Sequence, residues 1–202
     1  MRSSSLTKNI PDQKTCRDLM SRTSMRPNIM EHSYRVCQIA LFLGRQMNRR
    51  ETGLDLALVG AASLLHDITK TSSLATKENH AETAGDLLLE LGYPEVADIV
   101  RHHVRFKPED LDAPIAEVHL VNYADKRVLH TRVVTLEERF ADLVERYGTT
   151  PPVRERIRRT REDLLSLEGR MFGQLDFPPS RLEGFNRIDC FDLEQDPPSP
   201  GS

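Results

Sequence analysis

The sequence contains no tryptophan, only three cysteines and few aromatic residues, which make up 5% of its 202 residues. The cysteines, Cys16, Cys37 and Cys190, are odd in number and widely spaced, which is typical of a reducing compartment rather than of a disulfide framework. No apolar run approaches the roughly 20 residues of a membrane span. The segment from Met1 to Gln13 has no apolar signal core. We therefore expect a cytoplasmic protein without a membrane partner.

An excess of positive charge is also lacking, since the formal net charge is −3. No basic run with interleaved aromatic residues occurs, so the chain shows no general attraction to nucleic acid. The most basic segment, 154–161, is interrupted by Glu155 and followed by Glu162, which favours a solvated helix face. We expect no nucleic-acid partner.

Alternating strand patterns and internal repeats are absent as well, whereas prolines and glycines separate segments with helical periodicity. The expected helices cover residues 27–48, 51–67, 80–91, 94–103, 115–130, 135–147 and 152–172. These segments predict an all-α fold with its functional site inside the helical bundle.

The positions of prolines and glycines and the change in composition along the chain also predict four parts. We expect an N-terminal segment over 1–26, a core domain over 27–134, a helical extension over 135–176 and a loosely ordered, proline-rich tail over 177–202. The extension would cap the site, mediate a homodimer or extend the bundle, and these alternatives stay open. Within the tail, the apolar patch 185–191 is expected to pack against the parent domain.

The dipeptide His66-Asp67 ends an almost wholly apolar helical run, 54–65. Such a run is normally buried, and a carboxylate at its end costs free energy unless a cation or a hydrogen-bond partner compensates it. A divalent metal would do so, because neutral imidazole and carboxylate are standard metal ligands. The dipeptide alone indicates this only weakly, since such pairs often occur by chance.

Two further polar residues fall on apolar helix faces. His32 shares the stripe of Val36, Ile39 and Leu43, and Asp125 follows Val118 and Val121 at helical spacing. Taken singly, His32 is better explained as a core histidine bonded to a carbonyl, and Asp125 as part of a buried salt bridge. Taken together, four metal-type side chains from three apolar segments favour one shared metal site: His32, His66, Asp67 and Asp125.

The order His…His-Asp…Asp resembles the HD-domain superfamily of metal-dependent phosphohydrolases. The matching text is Glu-His-Ser-Tyr-Arg-Val around His32, Leu-Leu-His-Asp-Ile-Thr-Lys around His66 and Tyr-Ala-Asp-Lys around Asp125. The resemblance extends from about residue 29 to residue 134. It implies an HD-domain helical bundle in which His32, His66, Asp67 and Asp125 bind a divalent ion: Mn, Fe, Mg, Co, Ni or Zn.

The resemblance also implies candidates for a second metal ion, namely His80 and either His102 or His103. The helical stripe of Val96, Ile99 and Val100 favours His103 as the inward residue. The family pattern favours His102, and in some members with two metals both take part.

These ligands imply hydrolysis of a phosphoester or a phosphoanhydride, because a bound divalent ion activates water and neutralises phosphoryl charge. Asp67 would bridge the metals or orient the attacking water, and His80 would act as a general acid. Lys70, Arg35 and Lys126 lie within a helical turn of a ligand, and we expect them to bind substrate phosphate. Lys70 is the strongest candidate, although a solvated surface charge is the alternative for each.

The substrate implied is a nucleotide or another small phosphorylated compound. The residues after the doublet, Ile68-Thr69-Lys70, are distantly similar to those of bacterial symmetrical diadenosine tetraphosphate hydrolases, whose usual His-Thr-x-Gly block is absent here. Two other functions stay open. One is a non-catalytic module that senses metal or nucleotide, and the other is oxygen-dependent chemistry at a di-iron site.

Overall fold

The computed structural model describes residues 9–187 and 192–198, and over these residues the protein is all-α as predicted. The helices are α1 (Gln13–Arg22), α2 (Pro27–Asn48), α3 (Leu56–Leu65), α4 (Lys70–Thr76), α5 (His80–Glu90), α6 (Pro94–Arg101), α7 (Glu117–Lys126), α8 (Leu136–Tyr147) and α9 (Pro151–Phe172). Two short 3-10 helices cover Pro108–Asp110 and Pro179–Arg187. A two-residue hairpin pairs β1 (Val128–Leu129) with β2 (Arg132–Val133) in antiparallel register.

The structure differs from the sequence expectation after α7. The predicted helix 115–130 begins at Glu117 and ends at Lys126, because the chain turns back through the hairpin. His130 in the turn has a φ of 58°, in the left-handed region that tight turns use. Strands of two residues are too short to show alternation, so the sequence offered no pattern for them.

Helix α2 is the central element, and apolar residues on two of its faces belong to separate core clusters. One face packs Val36, Ile39 and Leu43 against Leu120 of α7 and Leu167 of α9. On the other side, α1, α3 and α6 form a second cluster with Cys37 of α2. Helices α2, α3 and α7 all pass through the interior. Polar side chains in the N-terminal half of α2 and at the C-terminal ends of α3 and α7 therefore lie close to one another.

The helical extension packs directly on the core. Met171 of α9 is fully buried in the same cluster as α2. The buried Arg127 guanidinium, which follows α7, donates to the Tyr123 hydroxyl at 2.6 Å and to Glu168 of α9 at 3.2 Å. These polar contacts tie α9 to the end of α7.

The described part of the tail is more ordered than expected. Pro179–Arg187 forms a 3-10 helix, and its Leu182 and Phe185 are fully buried in the α2 cluster. Further along, the Asp192 carbonyl accepts from Gln38 of α2 at 3.0 Å. Part of the patch 185–191, namely 188–191, lies outside the described residues. Burial of Leu182 and Phe185 offsets the helix-breaking effect of the prolines.

None of the helices within 9–187 and 192–198 has both the length and the apolar character that crossing a membrane requires.

Candidate metal centre

The four predicted primary ligands meet in the interior of the bundle. His32 comes from α2, Asp125 from the last turn of α7, and His66 and Asp67 from the turn that follows α3. The Nε2 atom of His32 lies 3.0 Å from Oδ1 of Asp125, and the Nε2 atom of His66 lies 3.7 Å from the same oxygen. All four side chains are buried. The four side chains therefore lie together in one compact cluster.

The histidines are held through one ring nitrogen and present the other to the cluster. Nδ1 of His32 donates to the His130 carbonyl at 2.8 Å, and Nδ1 of His66 donates to the Ser63 carbonyl at 2.8 Å. Nδ1 of His103 donates in the same way to the Val100 carbonyl at 2.6 Å. Such bonds direct Nε2 of each ring toward the cluster, which is the usual support for a metal-binding histidine. In His32 that atom donates to Oδ1 of Asp125.

Two buried polar atoms in the cluster lack a hydrogen-bond partner among the described residues. They are Nε2 of His66 and Oδ1 of Asp67, and both residues are at most 1% exposed. Leaving such atoms unpaired in the interior costs about 1–3 kcal/mol each. A cation bound between them would remove that cost, so these atoms fit a metal ion on chemical grounds.

Two overlapping sets of side chains have the spacing of metal ligands. In each set the ligand atoms all lie within 4.8 Å of one another, and the sets are His32, His66 and Asp67, and Asp67, His80 and His103. In the second set, Nε2 of His80 lies 3.3 Å from Oδ1 of Asp67 and 3.3 Å from Nε2 of His103. Asp67 belongs to both sets, so its two oxygens can serve two neighbouring ions.

The protonation states of four groups in the cluster suit metal binding, whereas the carboxylates of Asp67 and Asp125 outweigh burial and raise the pKa of His66. Burial alone would raise the pKa of Asp67, but the neighbouring His66 and Lys70 hold it well below its usual range. Burial likewise opposes ionisation of Asp125, and Lys126 and His32 keep its pKa well below the usual range. Burial lowers the pKa of His80, and it lowers that of His103 much further. Ionised carboxylates and neutral imidazoles are the forms that bind metal.

Each of two predicted lysines contacts a ligand carboxylate. Nζ of Lys70 lies 2.6 Å from Oδ2 of Asp67, and the side chain is about one-third exposed to solvent. Burial would lower the pKa of Lys70, but Asp67 and Asp125 raise it above its usual value. Nζ of Lys126 lies 2.5 Å from Oδ2 of Asp125 and also donates to the His103 carbonyl. Lys70 lines the open cavity beside the cluster, whereas the buried Lys126 pairs with the carboxylate of Asp125.

Arg35 does not take the substrate-binding position expected for it. Its guanidinium is buried and donates to the carbonyls of Thr131 and Phe185 at 3.1 and 2.7 Å. It therefore links α2 to the hairpin and to the C-terminal 3-10 helix. Since the partner at Phe185 lies 150 residues further along the chain, proximity in sequence to His32 gave the wrong expectation.

Of the adjacent histidines, His103 joins the cluster and His102 does not. His103 is 1% exposed, and its Nε2 lies 3.8 Å from Oδ1 of Asp67. His102 caps the end of α6 and its Nδ1 bonds to the Asp98 carbonyl at 2.6 Å. Its ring faces a separate cavity of about 710 Å³, which Lys126 also lines. The expectation from the helical stripe thus agrees with the structure, and the family pattern that favoured His102 does not.

One small cavity opens directly onto the ligand cluster. It has a volume of about 240 Å³ and is lined by His32, Asp67 and Lys70 together with His130, Arg139 and Arg146. Sequence reasoning missed the last three residues. Arg139 and Arg146 are seven residues apart on α8 and so share one helix face, which was the available signal. Helix α8, part of the expected extension, therefore contributes to the wall of this cavity.

Known proteins with similar sequences include ribonuclease Y from several bacteria. The enzyme of one Thermus thermophilus strain is 35% identical over 83 residues, or 41% of this chain and 14% of its own length. That of Aquifex aeolicus is 34% identical over 107 residues, or 53% of this chain and 18% of its own. The chain thus spans less than a fifth of these two relatives. An uncharacterized protein of Methanocaldococcus jannaschii is 25% identical over 64% of this chain and 83% of its own length.

A solved structure, described as a predicted HD superfamily hydrolase from an uncultured Thermotogales bacterium, aligns with 86% of this chain and 99% of its own. The identity is 19% and the TM-score is 0.44. The sequence profile of the HD domain family matches residues 29–147, which include the six clustered side chains and α8. The chain therefore belongs to the HD domain family.

Proposed function

We propose that the protein is a metal-dependent phosphohydrolase that cleaves a phosphoester or phosphoanhydride bond of a nucleotide or another small phosphorylated compound. The observation that carries this proposal is the pair of ligand sets that share Asp67 and adjoin a cavity with cationic walls. Imidazole and carboxylate suit a divalent ion, and cations beside them suit a phosphoryl group.

We assign the metal to His32, His66, Asp67 and Asp125, with His80 and His103 completing a second position. The imidazole-rich set fits Mn, Fe, Co, Ni and Zn better than Mg, which prefers oxygen ligands. When bound, such an ion lowers the pKa of a coordinated water and neutralises charge on a phosphoryl oxygen. Membership of both sets makes Asp67 the residue whose loss affects both positions.

The remaining roles follow from the orientation of the side chains. The Lys70 ammonium lies on the cavity wall, where it would pair with a phosphoryl oxygen and stabilise the negative charge that develops during cleavage. His80, expected as a general acid, faces Asp67 and His103, and its lowered pKa keeps it neutral near pH 7. We therefore assign His80 as a ligand in place of that role. Lys126 holds Asp125 in position.

The proposal is tested by phosphate release from a panel of nucleotides and dinucleoside polyphosphates, with the purified protein supplied in turn with Mn, Fe, Co and Mg. We expect turnover in at least one metal and its loss in Asp67→Ala. Asp18→Ala on α1 is the matched control, because that carboxylate is 61% exposed and bonds only Lys14 among the described contacts. Equal activity in the two variants, or no turnover despite bound metal, would contradict the proposal and favour a sensing module.

A second candidate is hydrolysis of an RNA phosphodiester, favoured by the similarity to ribonuclease Y. The same ligand cluster would serve, since the bond attacked is again a phosphoester. Short RNA oligonucleotides therefore belong in the substrate panel. If cleavage of RNA depends on Asp67 and no nucleotide releases phosphate, RNA would be the substrate in place of a small molecule. Oxygen consumption by iron-loaded protein, with no hydrolysis, would instead indicate the di-iron alternative.

For the small-molecule hydrolase, as distinct from the RNA-cleaving alternative, we infer a cytoplasmic location and no membrane or nucleic-acid partner. The buried free thiols of Cys16 and Cys37 support a reducing compartment.

A further inference from the structure

Two arginines of α8 extend the cationic wall of the cavity beyond Lys70. Arg139 and Arg146 both line the cavity, and Asp142 lies between them on the same helix. Asp142 accepts from Arg139 at 3.1 Å and from Arg146 at 2.7 Å. One carboxylate thus orients two guanidinium groups, and a positive charge remains in excess.

The guanidinium of Arg139 has one hydrogen-bond donor without a partner. Its Nε atom is buried and has no hydrogen-bond partner among the described residues, and the side chain is 14% exposed. Guanidinium groups bind phosphate in a bidentate manner through neighbouring N–H groups. Because Arg139 lines the cavity and has this donor unpaired, its guanidinium suits an anionic group that comes from outside the chain.

Contacts with α8 and with the hairpin turn hold Arg146 beside the same cavity. Besides Asp142, it donates to Nε2 of His130 at 3.2 Å, and His130 in turn accepts from His32 through its carbonyl. The hairpin turn that supports a metal-type ligand therefore also positions this arginine. Lys70 lines the same cavity, and the positive charge of Arg139 acts to lower the pKa of Lys70.

The size and charge of the cavity limit what can enter. Its volume of about 240 Å³ is below the ~300 Å³ at which pockets for whole drug-sized ligands begin. Its wall carries three cations, Lys70, Arg139 and Arg146. Two carboxylates, Asp67 and Asp142, pair with them, so one positive charge remains in excess. Such a space suits compact, multiply charged groups better than a nucleoside.

We propose that Arg139 and Arg146 bind a second phosphoryl group of the substrate, next to the one at the ligand cluster, and so select nucleoside di- or polyphosphates over monophosphates. This inference rests on the proposed function and deepens it. In this arrangement the phosphoryl groups of the substrate enter the cavity, and its organic part lies outside.

The inference is tested by calorimetric binding of non-hydrolysable anions to the Mn-loaded protein, with Mn in excess over the anion. The probes are methylenediphosphonate, phosphonoacetate and methylphosphonate, which carry two phosphoryl groups, one phosphoryl group with a carboxylate, and one phosphoryl group. We expect methylenediphosphonate to bind about ten-fold more tightly than either of the others. Arg139→Gln and Arg146→Gln should each weaken it about ten-fold, the effect of losing a charged hydrogen bond.

The matched control is Arg158→Gln on α9, an arginine paired with Glu155 and Glu162 and half exposed, outside the cavity. It should leave the affinity unchanged. Arg139→Lys, which keeps the charge but not the fork of donors, should retain part of the affinity and serves if Arg139→Gln fails to fold. Equal affinities for the three probes, tighter binding of phosphonoacetate, or arginine variants that match the control would each overturn the inference.

Kinetics separates this failure from that of the proposed function. Hydrolysis that depends on Asp67, with equal kcat/KM for nucleoside mono- and diphosphates, would overturn the arginine site alone. Arginine-dependent binding of methylenediphosphonate without turnover of any substrate would support the arginine site and contradict the hydrolase.

Discussion

At the scale of single residues, the centre is defined by which atom of each side chain faces the cluster. His32, His66 and His103 each donate from Nδ1 to a nearby carbonyl, so Nε2 is the atom that faces the cluster. There Nε2 of His32 meets Oδ1 of Asp125 and Nε2 of His103 meets Nε2 of His80, whereas Nε2 of His66 has no hydrogen-bond partner among the described residues. Asp67 uses Oδ2 on Lys70 and leaves Oδ1 without a hydrogen bond. The backbone thus orients the ligands before any ion binds, and this lowers the cost of ordering them.

Removing the Lys70 charge should slow hydrolysis while the metal stays bound. In Lys70→Met we expect kcat to fall by about 10²–10³, the usual effect of deleting one donor that stabilises transition-state charge. Metal content, measured on the same sample, should not fall, because Lys70 contacts Asp67 without belonging to either ligand set.

Lys14→Met on α1 is the matched control for Lys70, since its side chain is 80% exposed and its ammonium pairs with Asp18 one helical turn further along. It should retain full activity. A Lys70 variant whose kcat equals that of the control would remove Lys70 from the catalytic machinery.

The buried His103 should make the metal-free protein less stable in mild acid. Burial holds its pKa well below the ordinary 6.5, so below pH 6.5 the unfolded chain binds a proton that the folded chain does not. The contribution of His103 to the free energy of unfolding should therefore be fully present above pH 6.5 and should decrease as the pH falls below that value. Between pH 7.5 and 5.5 the contribution of His103 amounts to about 1 kcal/mol.

Urea unfolding at the two pH values measures this effect, with His103→Gln as the comparison. The decrease between pH 7.5 and 5.5 should be about 1 kcal/mol smaller in the variant than in the parent protein. Identical decreases would show that His103 is not held neutral by burial. His66, whose pKa is raised, shifts stability in the opposite direction in both proteins, and the comparison therefore isolates His103.

The sequence predicted much of this residue-scale arrangement, and the exceptions have physical causes. Polar residues on apolar stripes identified His32 and Asp125, because burial follows helical period. The stripe of α6 also distinguished His103 from His102. Arg35 could not be placed in the same way, since its partners on the hairpin and at Phe185 are brought near only by tertiary folding.

At the scale of helices, α8 determines how closed the centre is. Its N terminus has a capping box: Thr135 accepts from the Glu138 amide at 3.1 Å, and Glu138 accepts from the Thr135 amide at 3.0 Å. The box fixes where α8 begins and hence which of its residues face the cavity. Sequence periodicity predicts Leu136, Phe140, Leu143 and Val144 as inward. Leu136 and Phe140 are buried and Leu143 is half-buried, whereas Val144 is exposed. It did not predict that the neighbouring Arg139 would line the cavity, because that depends on the tertiary placement of α8 beside residues of α4 and the hairpin.

Thr135→Ala should destabilise the protein by about 1 kcal/mol, the usual cost of deleting an N-cap side chain. Thr150→Ala is a matched control, because Thr150 occupies the same position at α9 but its side chain makes no capping hydrogen bond. Chemical denaturation compares the two variants. A loss in Thr150→Ala as large as that in Thr135→Ala would contradict the capping argument.

At the scale of the whole molecule, the ligand cluster joins elements that lie far apart in sequence. The side chains come from α2, the turn after α3, the start of α5, the end of α6 and the end of α7. Side chains from five separate elements thus converge on one cluster, and α8 adjoins it through Arg139 and Arg146, which line the neighbouring cavity. An ion at that point would connect helices from both core clusters.

The whole fold should therefore be stabilised by its metal. An ion that binds only the folded chain adds about 2.7 kcal/mol of stability at one hundred times its dissociation constant. We expect Mn to raise the Tm of the metal-stripped protein and a chelator to reverse the change. Because ligands from distant segments must all be in place, the unfolded chain offers no comparable site.

The adjacent histidines give this prediction its sharpest form. His103→Gln removes a buried ring from the second ligand set, whereas His102→Gln removes one that bonds to Asp98 outside both sets. The first variant should lose part of the Tm increase on addition of Mn, and the second should keep all of it. Since the substitutions are chemically identical and one residue apart, an equal response would mean that the second ligand set does not bind the ion. A response lost only in His102→Gln would restore the assignment that the family pattern favoured.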